Sequence, residues 1–124
     1  MKHSIFIIDD SELMRAFLGN LLKDFGEVTL FENGESMLEA LRLGYIPNLV
    51  ILDLNLPGLH GMEILKILQK ECGHLPIKTY VVSGVDSSQE RISCLALGAI
   101  DFIVKPFHPK ELTYKIQQGL SLIM

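Results

Sequence analysis

The chain has 124 residues, 48% hydrophobic and 21% charged, with 11 basic against 15 acidic residues and a net charge of −4. That length and apolar content suit one compact domain, residues 1–124, with a proper core, and the acidic balance argues against a basic face that grips nucleic acid. No apolar run approaches the ~18 residues that cross a membrane, and the opening MKHSIFIIDD has too short an apolar stretch for a signal peptide.

The mean hydropathy of +0.32 is high for a soluble protein and points to elements buried on more than one side. Cys72 and Cys94 lack metal spacing and read as reduced thiols of a cytoplasmic protein.

Apolar runs alternate with amphipathic segments along the whole chain. Ser4–Ile8 is a strand candidate that ends on Asp9-Asp10. Glu12–Phe25 has helical spacing, with Leu13, Phe17, Leu21 and Leu22 on the expected buried face, Asp10 or Ser11 as N-cap and Gly26 as stop. A second strand is expected at Val28–Phe31, then a short helix at Gly34–Leu43, begun by Asn33 and closed by Gly44, with Met37, Leu38 and Leu41 inward. Leu49–Leu52 is a continuous apolar run, the mark of a strand buried on both faces. It ends on Asp53 and breaks into a loop punctuated by Pro57, Gly58 and Gly61.

The third helix is expected from about His60 to Cys72, burying Ile64, Leu65 and Leu68. Ile77–Val82 reads as the fourth strand and ends at Ser83-Gly84; Ser87 with Glu90 forms a capping box for a fourth helix that Gly98 stops. Phe102–Val104 is a short fifth strand ending at Lys105-Pro106. Pro109 opens a last helix whose inner stripe is Leu112, Ile116, Leu120 and Ile123, with Gly119 weakening its final turn. Such a succession of strand–helix units predicts a doubly wound, five-stranded parallel sheet with helices on both faces.

In a parallel sheet all carboxyl ends share one edge, where open α/β sheets place ligands. That edge receives Asp9 and Asp10 from the first strand, Asp53 from the third, Ser83 from the fourth and Lys105 from the fifth. Alone, Asp53 reads as a turn cap; in this company it does not. Three carboxylates in one crevice need a counter-charge, and Mg²⁺ suits an all-oxygen donor set that leaves positions open for phosphoryl oxygens. Lys105 adds an ammonium and Ser83 a hydroxyl donor, and Gly84 has no side chain to fend off an oxyanion. Asp53, the single acid at the end of the central strand, is the acceptor of choice for a phosphoryl group.

The segments IFIIDDS, VILDLNLPGLHGMEILK, VVSG and GAIDFIVKPF, in this order and spacing, resemble the receiver domain of bacterial two-component response regulators over essentially the whole chain. The resemblance implies a flavodoxin-like, three-layer (βα)5 sandwich and a phosphorylation-driven switch, not a turnover enzyme. It implies Asp53 as phosphoacceptor, served by a sensor histidine kinase, a phosphotransfer protein or a small phosphodonor. Asp10, Asp53 and the Asn55 backbone carbonyl become Mg²⁺ ligands, with Asp9 helping through a water. Lys105 becomes the partner of the acyl phosphate, Ser83 and Phe102 the switch pair, Lys105–Pro106 a cis bond, and Asn55 and Val85 the positions that set phosphate lifetime.

Leu56 replaces the commoner Met, His60 a frequent Asp, Phe31 a small residue and Phe102 a commoner Tyr. The resemblance also puts Arg91, Asp101, Glu111 and Lys115 where receivers of dimeric winged-helix transcription factors carry cross-subunit ion pairs; an ordinary solvated face is the other reading. Helix four is apolar at Ile92, Cys94, Leu95, Ala96 and Leu97, either deeply packed or partly a contact for another protein. A homodimer through helix four, strand five and helix five is one expectation.

Two other classes share this architecture. A phosphatase of the haloacid dehalogenase type needs an acid two residues after its nucleophile, where this chain has Asn55. A flavin or nucleotide binder needs a phosphate loop after the first strand, where Asp9-Asp10 would repel the ligand without a metal. Met14 defaults to a core side chain, with a place over the crevice as the other reading, and Arg15 to a solvated charge, with a place at the rim of the site as the other; His3, His60, His74 and His108 show no metal geometry. A stand-alone domain and one part of a longer regulator read alike over these residues.

Overall fold

A computed structural model describes residues 3–121. Its elements are β1 (His3–Ile8), α1 (Glu12–Leu22), β2 (Gly26–Phe31), α2 (Gly34–Arg42), β3 (Leu49–Asp53), α3 (Gly61–Cys72), β4 (Lys78–Ser83), α4 (Ser88–Ala96), β5 (Asp101–Val104) and α5 (Pro109–Ser121). The strands are all parallel, in the order β2-β1-β3-β4-β5. Ile123 lies outside the described residues.

Alternation along each strand splits the core into two layers. Phe6, Ile8, Val50, Leu52, Val81 and Phe102 face one side and meet Met37, Leu38 and Leu41 of α2, Ile64, Leu65 and Leu68 of α3, and Cys94 of α4. Ile5, Ile7, Leu49, Ile51, Val82 and Ile103 face the other and meet Leu18 and Leu22 of α1 with Leu112, Ile116 and Leu120 of α5. The expected three-layer, doubly wound sheet is therefore present, and the inner stripes of α2, α3 and α5 fall where the spacing puts them. Both cysteines are free, and burial pushes their thiols above the ordinary value.

Local signals fix the helix ends. Ser11 caps α1 through a 3.2 Å bond from the Met14 N–H, Asn33 caps α2 by accepting from Ser36, and Ser87 caps α4 by accepting from Glu90. His60 replaces the acid of the family pattern without losing the cap, because its Nδ1 accepts from the Met62 N–H at 3.1 Å.

Two expectations are corrected. The buried face of α1 is Leu18 and Leu22, flanked by Met14 and Leu21, whereas Leu13 is 82% and Phe17 42% exposed. This helix is apolar on more than one side, so spacing alone does not select the face that meets the sheet. It also ends three residues earlier than expected, at Leu22, and Gly26 begins β2 instead of stopping the helix.

Gly119 serves packing rather than weakness. A Cβ there would lie 2.1 Å from the hydroxyl of Tyr80, which donates to the Lys115 carbonyl at 3.0 Å and ties α5 to β4.

Candidate functional site

The strand ends carry out the convergence expected of a parallel sheet. Asp53 is paired in register with Val82, and Ser83 with Val104, so the acid, the hydroxyl and the lysine that follows β5 reach the same edge. Leu54 N–H donates to the Val82 carbonyl at 2.9 Å, and Lys105 N–H to the Ser83 carbonyl at 2.7 Å, extending the ladder past the last strand residues. Gly61 closes the floor. A Cβ at this position would meet the Asp53 carbonyl at 2.7 Å and Leu54 Cα at 2.5 Å, so only glycine lets α3 start against the end of β3.

Asp9, Asp10 and Asp53 each offer a carboxylate oxygen, and these lie within 4.8 Å of one another. Lys105 Nζ is 3.2 Å from Asp9 Oδ2 and 3.5 Å from Asp53 Oδ2. Asp9 and Asp53 are buried and Asp10 is exposed. Burial pushes the Asp53 carboxyl above its ordinary range; the Asn55 N–H, at 3.1 Å from Oδ1, and the Lys105 ammonium pull it back, while Asp9 pushes it up again.

One ammonium against three clustered acids leaves negative charge uncompensated, and every donor is a hard oxygen. That donor set fits a divalent ion such as Mg²⁺ better than a softer metal. Asp9, Asp10 and Asp53 are the carboxylates clustered closely enough to share such an ion.

Ser83 is fully buried, and its hydroxyl contacts the Val85 carbonyl at 3.3 Å and Asn55 Oδ1 at 3.4 Å. Gly84 N–H donates to the same Asn55 oxygen at 3.3 Å. The Asn55 side chain thus bridges the loops after β3 and β4. Phe102 is inward, with 2% of its surface exposed, and the Lys105–Pro106 bond is cis. All the residues anticipated at this edge are together.

Arg15 takes the second of its two readings, a place at the rim of the site and not a freely solvated charge: it donates from Nη1 to the Asp9 carbonyl at 2.7 Å and braces the loop that carries both acids. Its only trace in the sequence is its place on the first turns of α1. Met14 packs against the core, as its bland reading held. Phe31 stacks edge-on against Phe6, with ring centroids 4.9 Å apart, and so takes the room a small residue leaves.

Beside the crevice, the charges on the α4–β5–α5 face pair within the chain. Lys115 is 2.8 Å from Asp101 and 3.8 Å from Glu111, and Arg91 is 3.3 Å from Asp86. Ile92 and Leu95 of α4 are exposed, whereas Cys94 is buried, so α4 does carry more apolar surface than its packing uses.

Comparisons with known proteins agree with this geometry. The family model of the response regulator receiver domain matches residues 5–117. The transcriptional regulatory protein FixJ of Bradyrhizobium diazoefficiens is 35% identical over 120 residues, 96% of this chain and 57% of that protein. The probable transcriptional regulator ycf27 of Porphyridium aerugineum is 38% identical over 123 residues, 98% of this chain and 50% of the relative. The chain spans about half the length of these curated relatives.

Among solved structures, a CheY-like response regulator receiver domain protein of Methanospirillum hungatei is similar with a TM-score of 0.89 at 26% identity, over 98% of this chain and 95% of the other. The BeF3-activated DrrB receiver domain shares the fold with a TM-score of 0.87 at 23% identity, over 98% and 99% of the two chains.

Proposed function

The chain belongs to the response regulator receiver domain family, and we propose that it is a phosphoacceptor switch in which Asp53 takes a phosphoryl group with the help of Mg²⁺. The observation that carries this reading is the cluster itself: three carboxylates within 4.8 Å, with Lys105 Nζ 3.5 Å from the buried acceptor acid. A bound Mg²⁺ would neutralise the acids and hold phosphoryl oxygens.

The residues of the chain divide the remaining work. A carboxylate oxygen of Asp53 attacks phosphorus, and the donor leaves with the electron pair of the broken bond. Asp10, Asp53 and the Asn55 carbonyl would hold the metal, while Asp9, bonded to the Ser11 N–H at 2.9 Å and to Lys105, fixes the ammonium beside the acceptor. Lys105, the Ser83 hydroxyl and the Gly84 N–H meet the new negative charge. For the last two this means leaving Asn55, which repositions the loop after β4 and, through Phe102, the α4–β5–α5 surface. The exposed Ile92 and Leu95 make that surface a candidate contact for an output partner or a second copy. The chemistry is self-phosphorylation and self-dephosphorylation, not turnover.

Mass spectrometry after incubation with a small phosphodonor and Mg²⁺ tests the reading. Gain of one phosphoryl group on the intact chain is expected; an unchanged mass defeats it.

A sensor histidine kinase or phosphotransfer protein in the cytoplasm is the proposed protein donor. Leu13 and Phe17, one helical turn apart on α1, expose apolar surface next to the crevice rim, and the Phe17 ring lies 6.3 Å from that of Phe107 beyond Lys105. A donor protein placing its phosphoryl group over Asp53 would cover them. Changing Leu13→Glu or Phe17→Glu should slow transfer from a protein donor by about tenfold or more, the scale of an interface hot spot. Uptake from a small phosphodonor should stay the same, so side-by-side rates with the two donors decide the point.

A further inference from the structure

Two segments close the crevice on one side: the loop that follows Ser83, and β5, which leads into Lys105. Their relative placement sets how far the hydroxyl stands from the ammonium. One side chain outside the crevice spans both segments. Arg91, on the second turn of α4, lies with Nη2 3.3 Å from Asp86 Oδ1, in the loop three residues past Ser83. Its Nη1 donates to the Phe102 carbonyl at 3.3 Å, three residues before Lys105, and its guanidinium sits 5.0 Å from the centre of the buried Phe102 ring.

We propose that Arg91 is a positioning residue, a clamp that joins the Ser83 loop to the Lys105 strand and so fixes the geometry in which the phosphoryl group is received. The inference rests on the phosphoacceptor reading above. Three contacts in three directions need the planar fork of a guanidinium; an ammonium on a lysine stem makes only some of them at once. The Asp86–Arg91 pair is largely solvent-exposed, with 76% and 40% of the two side chains accessible. Such a pair adds little to stability. The clamp therefore depends on the Asp86 pair acting together with the contacts to the Phe102 carbonyl and ring. Arg91 touches none of the three carboxylates, so metal binding is independent of it.

The test uses Arg91→Met, which keeps the aliphatic reach and loses the charge and both donors, and Arg91→Lys, which keeps the charge without the fork. Phosphoryl uptake from a small phosphodonor is followed at saturating Mg²⁺, with Mg²⁺ affinity and melting temperature measured on the same samples. R91M should lower the maximal uptake rate by about tenfold while Mg²⁺ affinity stays within about twofold, and R91K should fall between R91M and wild type. Uptake by R91M equal to wild type overturns the clamp. So does a large fall in melting temperature or a parallel loss of Mg²⁺ affinity, which would make Arg91 a general stability residue. Absence of uptake in the wild type is a different failure: it defeats the phosphoacceptor reading itself, and the clamp with it.

Discussion

Asp53→Asn should bring phosphoryl uptake to background and at the same time make the metal-free protein more stable at neutral pH. The first half follows from chemistry, because an amide oxygen is no nucleophile toward phosphorus and the buried neighbour Asp9 already has its oxygens engaged by the Ser11 N–H and Lys105. The second follows from burial. Asp53 is 4% exposed, and desolvation raises its carboxyl above the ordinary value of 3.8. A raised folded value means that the native chain holds this proton more tightly than the unfolded chain does. The stability linked to it is therefore fully present below pH 3.8 and is lost as pH rises through the folded value.

Above that window wild type carries a charge it would fold better without, and Asn removes the penalty while Lys105 keeps Asp9 as a partner at 3.2 Å. The melting temperature of the variant should match wild type near pH 3.5 and exceed it by a few degrees near pH 7.5 without divalent ions, on a scale of about 3–5 °C per kcal/mol for a domain between the small and mid-sized classes. Thermal melts at the two pH values check it. A variant less stable than wild type at neutral pH would mean that the carboxylate is a net contributor to the fold.

Most of the site was legible because parallel topology turns a one-dimensional pattern into a place. Once each apolar run is a strand of the same sheet, the residues just after Ile8, Leu52, Val82 and Val104 share an edge, whatever the details of packing. The register bears this out, with Ile8 paired to Leu52 and Asp53 to Val82. What failed to show was anything decided by rotation about a helix axis or by a long side chain. On α1, Leu13, Phe17, Leu18, Leu21 and Leu22 form two overlapping apolar stripes, and only the sheet chooses Leu18 and Leu22. Arg15 could lie along the helix or fold back to a carbonyl; the 2.7 Å bond to Asp9 is a tertiary choice.

The charges at Arg91, Asp101, Glu111 and Lys115 illustrate the same limit. Their letters fit pairs between chains, yet in the single chain Lys115 already finds Asp101 and Glu111, and Arg91 finds Asp86 and Phe102. Gly119 carries the opposite lesson. Propensity marks it as a weak point of α5, whereas the Tyr80 hydroxyl packs where any larger side chain would be.

The two adjacent acids should prove unequal toward metal. Asp9 is 2% exposed and its oxygens are engaged by the chain: Oδ1 accepts from the Ser11 N–H at 2.9 Å and Oδ2 from Lys105 at 3.2 Å. Asp10 is exposed, with a carboxylate oxygen in the same cluster of three. A ligand oxygen must spend a lone pair on the ion, so the freer carboxylate is the better direct ligand and the engaged one serves through orientation. Asp10→Asn should therefore weaken Mg²⁺ binding by about 10- to 100-fold, the range in which even supporting groups act. Asp9→Asn should weaken it less, and should instead cost about 1–3 kcal/mol of stability by loosening buried hydrogen bonds to a charged group.

In wild type, Mg²⁺ at a hundredfold excess over its dissociation constant should add about 2.7 kcal/mol through binding to the folded chain alone, an increment that a chelator reverses together with phosphoryl uptake. Calorimetric Mg²⁺ titrations of the two variants, paired with melts with and without the ion, separate the roles. Equal Mg²⁺ affinity in Asp10→Asn and wild type would show that the ion is held elsewhere, and the phosphoacceptor site would then lack the counter-charge that its three acids require.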